Sequence, residues 1–156
     1  MNKKNLILIS CSKIKKKNKE LMPAISRYDG VNFKVLKKHF PSAIPDNLDI
    51  LIISAKYGLL KSEDAIEYYE QKMDIEIAKG LCEEVLEGLK EIFMNNTYNE
   101  VFINMGKEYR LIIDGFDKFV PNATKIIFAE GSIGKKLSCM KKWLSKNYEK
   151  LSKNAL

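Results

Sequence analysis

The sequence predicts an α/β fold: a three-layer sandwich around a mainly parallel sheet of about four strands. Three observations carry this. Four short apolar runs, Leu6–Ser10, Leu48–Ala55, Glu100–Met105 and Thr124–Ala129, are continuous rather than alternating, as strands covered on both faces are. Helical periodicity fills the chain between them. Each run also ends in small and polar residues that let the backbone leave a sheet closely packed.

The elements follow in order. After the first run the chain is irregular over Lys13–Asp29, then reads as a short basic helix over Phe33–Phe40, preceded by the Asp29-Gly30 turn and stopped by Pro41. The second run leads into a further irregular stretch, Lys56–Met73. A long helix over Asp74–Phe93 carries Ala78, Leu81, Cys82, Val85, Leu89 and Ile92 on one stripe and Glu83, Glu84, Glu87 and Glu91 outside it, with Asp74 as its cap. The third run is followed by a helix over Glu108–Phe119 that stops before Pro121. The fourth is followed by one over Ile133–Leu151, with Ile133, Leu137, Met140, Leu144, Tyr148 and Leu151 in register. Such alternation implies parallel βαβ units with right-handed crossovers. No repeat or linker divides the chain, so residues 1–156 read as one domain.

Composition removes several function classes. The chain has 156 residues, 46% hydrophobic and 30% charged, which fits a globular domain. Its longest apolar run is too short for a bilayer, and lysines follow it where a signal peptide needs apolar length. Three cysteines without a CxxC spacing argue for a reducing cytoplasm, against a disulfide framework and against a zinc knuckle. One histidine, His39, makes no metal site, so neither metal nor cofactor is expected. The net charge is +7, and only Arg27 and Arg110 of the 27 basic residues are arginines. Residues 1–40 hold 11 basic and 2 acidic groups, 41–100 hold 5 and 13, and 101–156 hold 11 and 5. The basic ends suit a phosphate-bearing partner, or else form a lysine-rich solvated surface.

In a parallel sheet all four strand ends lie on one edge, where ligands bind. The first supplies Ser10, Cys11, Ser12 and Lys13; the second Ser54, Lys56, Tyr57 and Gly58; the third Asn104, Gly106, Lys107 and Tyr109; the fourth Glu130, Gly131, Ser132, Gly134 and Lys135. The Gly131–Lys135 turn opens a helix, and free N–H groups with a lysine there can hold an anion; otherwise it is a plain glycine-rich turn. It is neither a Walker A loop nor a dinucleotide fingerprint. Cys11 precedes Lys13, Lys15, Lys16 and Lys17, cations that favour a thiolate, though the only histidine available as its base is His39. Cys82 and Cys139 read as core or boundary residues of helices. The acidic stretch Glu63–Glu70 offers acids or bases or is a solvated turn. Tyr28, Tyr57, Tyr69 and Tyr109 fall near the same edge, to stack on a base or to seal the core.

The series Ile9-Ser-Cys-Ser-Lys13, Pro23-Ala, Arg27-Tyr-Asp-Gly30 with Phe33, and Ser54-Ala-Lys-Tyr-Gly-Leu59 resembles an uncharacterised family of small microbial and phage proteins. Asn104-Met-Gly-Lys107 with Tyr109, and Gly131-Ser-Ile-Gly134 with Trp143-Leu144, match its later landmarks. More distantly the chain is similar to the peroxide-stress YaaA-like proteins and to the catalytic core of archaeosine synthase. Cys11 and Lys15 match the latter's Cys-x-x-x-Lys motif, whereas its Pro-Tyr and Ser-x-Ser-His are not matched. This resemblance implies a uracil-DNA-glycosylase-like or related sandwich whose ligand is a nucleobase or nucleic acid.

The expectation is therefore a cytoplasmic enzyme acting on a nucleobase, nucleotide or modified nucleic acid. Cys11, Lys13 and Lys15 stand at its floor, Cys11 and Lys15 as catalytic groups, with Glu70 or Glu130 as acid or base. Arg27 and Tyr28 join the strand-end residues in binding, and the Gly131–Lys135 turn takes an anion. The alternatives are a non-catalytic nucleic-acid-binding protein and a small-molecule sensor.

Overall fold

The computed structural model describes residues 4–149. Along the chain, β1 (Lys4–Ser10) is followed by the two-residue β2 (Met22–Pro23), the single turn α1 (Ala24–Arg27) and α2 (Val31–His39). Then come β3 (Leu48–Ser54), β4 (Gly58–Lys61), the short β5 (Ala65–Ile66) and α3 (Ile75–Asn95). β6 (Tyr98–Asn104), α4 (Lys107–Ile112), a 3-10 turn over Phe116–Phe119, β7 (Lys125–Phe128) and α5 (Ile133–Asn147) complete the order.

The main sheet has five strands in the order β4-β3-β1-β6-β7. β3, β1, β6 and β7 run parallel, and β4 folds back antiparallel on β3 at the edge. The four parallel strands are the four apolar runs of the sequence. The fifth, only four residues long, was hidden in the irregular 56–73 stretch. Gly58 makes the tight return possible: its φ of 73° is open to glycine and costly for other residues.

Continuous burial explains the strands. Ile7, Ile9, Ile50, Ile52 and Phe102 face a core shared with α1, α2 and α5. Leu6, Leu8, Leu51, Ile53, Val101 and Ile103 face a second core, closed by α3 and α4. Each such side chain contributes about 1.5–3 kcal/mol on burial. α3 begins where predicted, its Ile77 N–H donating to Asp74 Oδ1 at 2.8 Å, and buries Ala78, Val85, Leu89 and Phe93.

Two helices depart from the sequence reading. The expected Glu108–Phe119 helix is broken, because Gly115 at φ 88° ends regular helix before the 3-10 turn. α5 ends at Asn147, and Ile133, expected on its buried stripe, is 74% exposed; Met140, Trp143 and Leu144 do the packing. The expected continuation to Leu151 lies partly outside the described residues. Among the described residues no helix is long and apolar enough to cross a membrane.

The strand order creates one special position. From β1 the chain leaves toward α2, while from the neighbouring β6 it leaves toward α4 on the opposite face. The two exits diverge between the ends of β1 and β6, the crevice position at which open α/β sheets bind ligands.

Candidate functional site

The alternation of side chains fixes which residues meet at that crevice. Ile9 pairs with Ile52 and Ser10 with Ile53, so Cys11 and Ser54 stand level on adjacent strands and on the α2–α5 face. Asn104, paired with Ile9, lies one repeat lower on the same face. Cys11 keeps its place because its N–H donates to Ile53 O at 2.9 Å. The next residue is clamped as well: Ser12 Oγ donates to Ile14 O at 2.6 Å and accepts Gly30 N–H at 3.2 Å. A Cβ on Gly30 would sit 2.7 Å from Ser12 Cβ, so only glycine allows this approach.

Tyr109 enters from α4, on the other face. Its hydroxyl lies 3.0 Å from the Cys11 thiol, so the contact passes over the end of the sheet at the switch point. Both side chains are half-buried. Burial, followed by the charge of Cys11, pushes the Tyr109 phenol well up, which holds it neutral.

Behind Cys11 is a floor of three hydroxyls. Ser54 Oγ lies 2.9 Å from Tyr69 Oη, and Tyr69 Oη lies 2.5 Å from Tyr28 Oη. Ser54 also accepts the N–H groups of Lys56 at 3.1 Å and Tyr57 at 3.0 Å, tying the floor to the β3–β4 turn. Burial first, and the Cys11 charge second, pushes both phenols strongly up. The Lys15 ammonium sits 4.6 Å from the Tyr69 ring centroid and 6.0 Å from that of Tyr28. Desolvation pulls Lys15 down, against the charges of Cys11 and Glu70, which favour the ammonium. On the rim, Lys56 Nζ lies 5.2 Å from the half-exposed Tyr57 ring.

The structure therefore brings together Cys11, Lys15, Tyr28, Ser54, Lys56, Tyr57 and Tyr109, with the exposed Glu70 beside Lys15. Tyr69, noticed in the sequence only as an edge tyrosine, is the hub of the floor; the Tyr68-Tyr69 doublet in an acidic loop was its sole signal. Lys13 is exposed at the rim, and Gly58 turns the β3–β4 hairpin. Ser10 ends β1 facing the α3–α4 core side.

Other expected residues are engaged elsewhere. Arg27 is fully buried, donating to the carbonyls of Lys16, Asn18, Glu20 and Ile66 at 2.6–3.2 Å. It staples the loop after β1 instead of presenting its guanidinium to a ligand. Asn104 is 2% exposed and donates to Met140 Sδ at 3.6 Å, facing α5. Gly106 caps α4, which Lys107 begins with its side chain exposed. Glu130 is held by Arg110 at 3.0 Å at the end of β7, two strand spacings, about 10 Å, from the strand of Cys11. In the Gly131–Lys135 turn, Ser132 Oγ accepts Lys135 N–H at 3.2 Å, capping α5; Gly134 and the Lys135 side chain are exposed. His39 is removed from any role as base to Cys11, because its Nε2 bonds Tyr148 O at 2.8 Å between α2 and the end of α5. Cys82 and Cys139 lie half-buried on α3 and α5. Among the described residues no group of three His, Cys, Asp or Glu side chains could hold a metal ion. A cleft of about 440 Å³ along the β7 edge is lined by Arg110, Ile113, Phe116 and Phe128 and does not include Cys11.

Residues 6–142 match the family model described as a family of unknown function, DUF6884. The chain belongs to that family. As a fold, DUF6884 in this chain is similar to the crystal structure of AF0587, described as a protein of unknown function, at a TM-score of 0.58 and 11% identity. The match covers 96% of this chain and 47% of the other, so the chain spans about half of that protein. No curated protein matches it.

Proposed function

We propose that this DUF6884 protein is a cytoplasmic enzyme acting on a nucleobase, nucleotide or modified nucleic acid, of glycosylase or base-transfer type, with its site over the ends of β1, β3 and β6. The observation that carries the reading is the Cys11–Tyr109 contact across the switch point, flanked by Lys15 and the half-exposed Tyr57 ring. A sulfur nucleophile, a neutral phenol able to donate a proton and an ammonium able to face developing negative charge are parts such chemistry uses. Tyr57 supplies a flat ring for a base to stack on. Glu70, acting on Lys15, is better placed as an acid or base than Glu130. The resemblance to YaaA-like proteins and the archaeosine synthase core supports the reading through Cys11 and Lys15, and a uracil-DNA-glycosylase-like sandwich belongs with it.

A panel of free bases, nucleosides, nucleotides and short single-stranded oligonucleotides, followed by NMR, tests it. At least one member should shift the resonances of Cys11, Tyr57 and Tyr109, and Cys11→Ala should abolish conversion of that ligand while weakening its binding by less than about tenfold. A panel that leaves those three residues unmoved sinks the reading.

The exposed Lys13, Lys16, Lys17 and Lys19 beside the crevice favour a second reading, a non-catalytic nucleic-acid-binding protein. It requires oligonucleotide binding that falls steeply with salt and is indifferent to Cys11→Ala.

A further inference from the structure

The floor of the site holds one more hydroxyl proton than it has acceptors for. Ser54, 0% exposed, has both acceptor positions filled by the N–H groups of Lys56 and Tyr57, so its own proton must be donated. The remaining acceptors in the trio are the two phenol oxygens, Tyr28 at 0% and Tyr69 at 5% exposure. One phenolic proton serves the Tyr28–Tyr69 contact. The other has no acceptor, since Ser54 is closed to it and neither phenol bonds any further group among the described residues. Hydroxyl chains polarise one another in one direction, and Ser54, which faces both phenols, donates into the pair and leaves one of the two phenols as the terminal donor. A buried donor without a partner costs about 1–3 kcal/mol, and a floor built this way is built to meet an acceptor that arrives from outside.

That donor belongs to the Cys11 crevice. Ser54 is level with Cys11, one strand spacing of about 4.8 Å away. The Lys15 ammonium lies over both phenol rings. We propose that the free phenolic proton of the Tyr28–Tyr69 pair and the Lys15 ammonium form a subsite for an anionic oxygen beside the Cys11 sulfur, and that the oxygen is that of a carboxylate. One neutral donor and one ammonium, the latter already facing Glu70, match a single negative charge; a phosphate dianion calls for more donors and more positive charge. The subsite deepens the proposed function by naming a group its ligand carries. It rests on that reading's location at the strand ends and not on the ligand containing a base.

Alkylation of the native full-length chain tests this without a known ligand. The thiolate displaces iodide from the methylene carbon of iodoacetate or iodoacetamide, forming one S–C bond as the C–I bond breaks, and the two reagents differ only in the carboxylate. Peptide mass spectrometry reads Cys11 against Cys82 and Cys139 in the same molecules. The iodoacetate-to-iodoacetamide rate ratio should be about tenfold higher at Cys11 than at the two helix cysteines, the size of one charge-assisted hydrogen bond. Lys15→Met and the double variant Tyr28→Phe/Tyr69→Phe should each lower that ratio several-fold with a smaller change in the iodoacetamide rate; Tyr28→Phe alone leaves the Tyr69 proton free. For the unmodified chain alone, acetate should slow iodoacetamide at Cys11 and acetamide should not, a readout that survives if the double variant fails to fold. Equal ratios at all three cysteines, or equal effects of acetate and acetamide, overturn the subsite. A ratio that responds to Lys15→Met but not to the double variant overturns the phenols' part in it. A silent nucleobase panel beside a selective iodoacetate rate removes the base and keeps the subsite; the converse removes the subsite and keeps the base.

Discussion

Along one edge of the sheet, the end of β7 and the ends of β3, β1 and β6 carry similar residues and come to opposite outcomes. At β7 the small and basic residues bond their neighbours, although the buried Nε of Arg110 is left without a partner. Ser132 caps its own helix, the Arg110 guanidinium takes Ala129 O and Glu130, and the Lys136 ammonium takes Met105 O. At β1 the groups come from distant stretches of chain, around residues 11, 15, 28, 54, 69 and 109, and their hydrogen-bonding capacity does not close. Glycine and lysine after a strand therefore do not mark a site. An unmet donor at a topological switch point does.

The two arginines give the largest test of this contrast. Arg27 is buried against four carbonyls, while Arg110 is 28% exposed and shared between a carbonyl and an exposed carboxylate. Arg27→Met strands those carbonyls and should cost about 4 kcal/mol in urea unfolding, with faster proteolysis of the loop after β1. Arg110→Met should cost about 1 kcal/mol. If the two losses agree within error, the loop at the Cys11 end is not held by its arginine and the contrast fails.

These two residues also mark where the sequence stops being readable. β1, β3 and β6 were legible because burial on both faces leaves an unbroken apolar run, while the partly exposed β7 was legible from its Ile126-Ile127-Phe128 run, and their shared edge followed from parallelism alone. β4 was too short to carry a period, and the Glu108–Phe119 pattern hid a break because Gly115 interrupts φ without interrupting the apolar spacing. The meeting of Cys11, Ser54 and Tyr109 was legible because each lies within a few residues of a strand end. The inward turn of Arg27 was not legible, because nothing in a sequence tells whether a long cationic side chain turns outward or back into its own loop. Tyr69 became a hub only through the stretch of chain between β3 and α3, whose path no local pattern sets.

Alkali should separate the two ends next. Tyr28, Tyr69 and Tyr109 are all pushed above the ordinary phenol value of 10.0, chiefly by burial. Above that value the unfolded chain releases phenolic protons that the folded chain keeps, so stability must fall as pH rises; below it, both states stay protonated and these groups contribute no pH dependence. Each fully buried tyrosine contributes a slope of at most about 1.4 kcal/mol per pH unit, and half-exposed Tyr109 less. The urea midpoint should therefore drop once pH passes about 10, less steeply in Tyr28→Phe, and with unchanged steepness in variants of the β7 end. A midpoint that holds steady to about pH 11 would show that the floor opens to water.

The finest comparison uses two serines that do the same formal job. Ser54 and Ser132 each accept a backbone N–H three residues on, at 3.0 Å and 3.2 Å. Ser132 is exposed and serves only its helix, so Ser132→Ala should cost about 1 kcal/mol, the worth of an N-cap. Ser54 is buried and serves a second N–H and the Tyr69 phenol as well. Ser54→Ala should cost about 2–3 kcal/mol, because it strands two N–H groups and removes the donor that orients the phenols. It should also lower the carboxylate preference of Cys11 alkylation, as Ser132→Ala should not. Equal costs with equal alkylation ratios would mean that Ser54 is a turn residue like Ser132, and that the Cys11 end differs from the β7 end in composition but not in design.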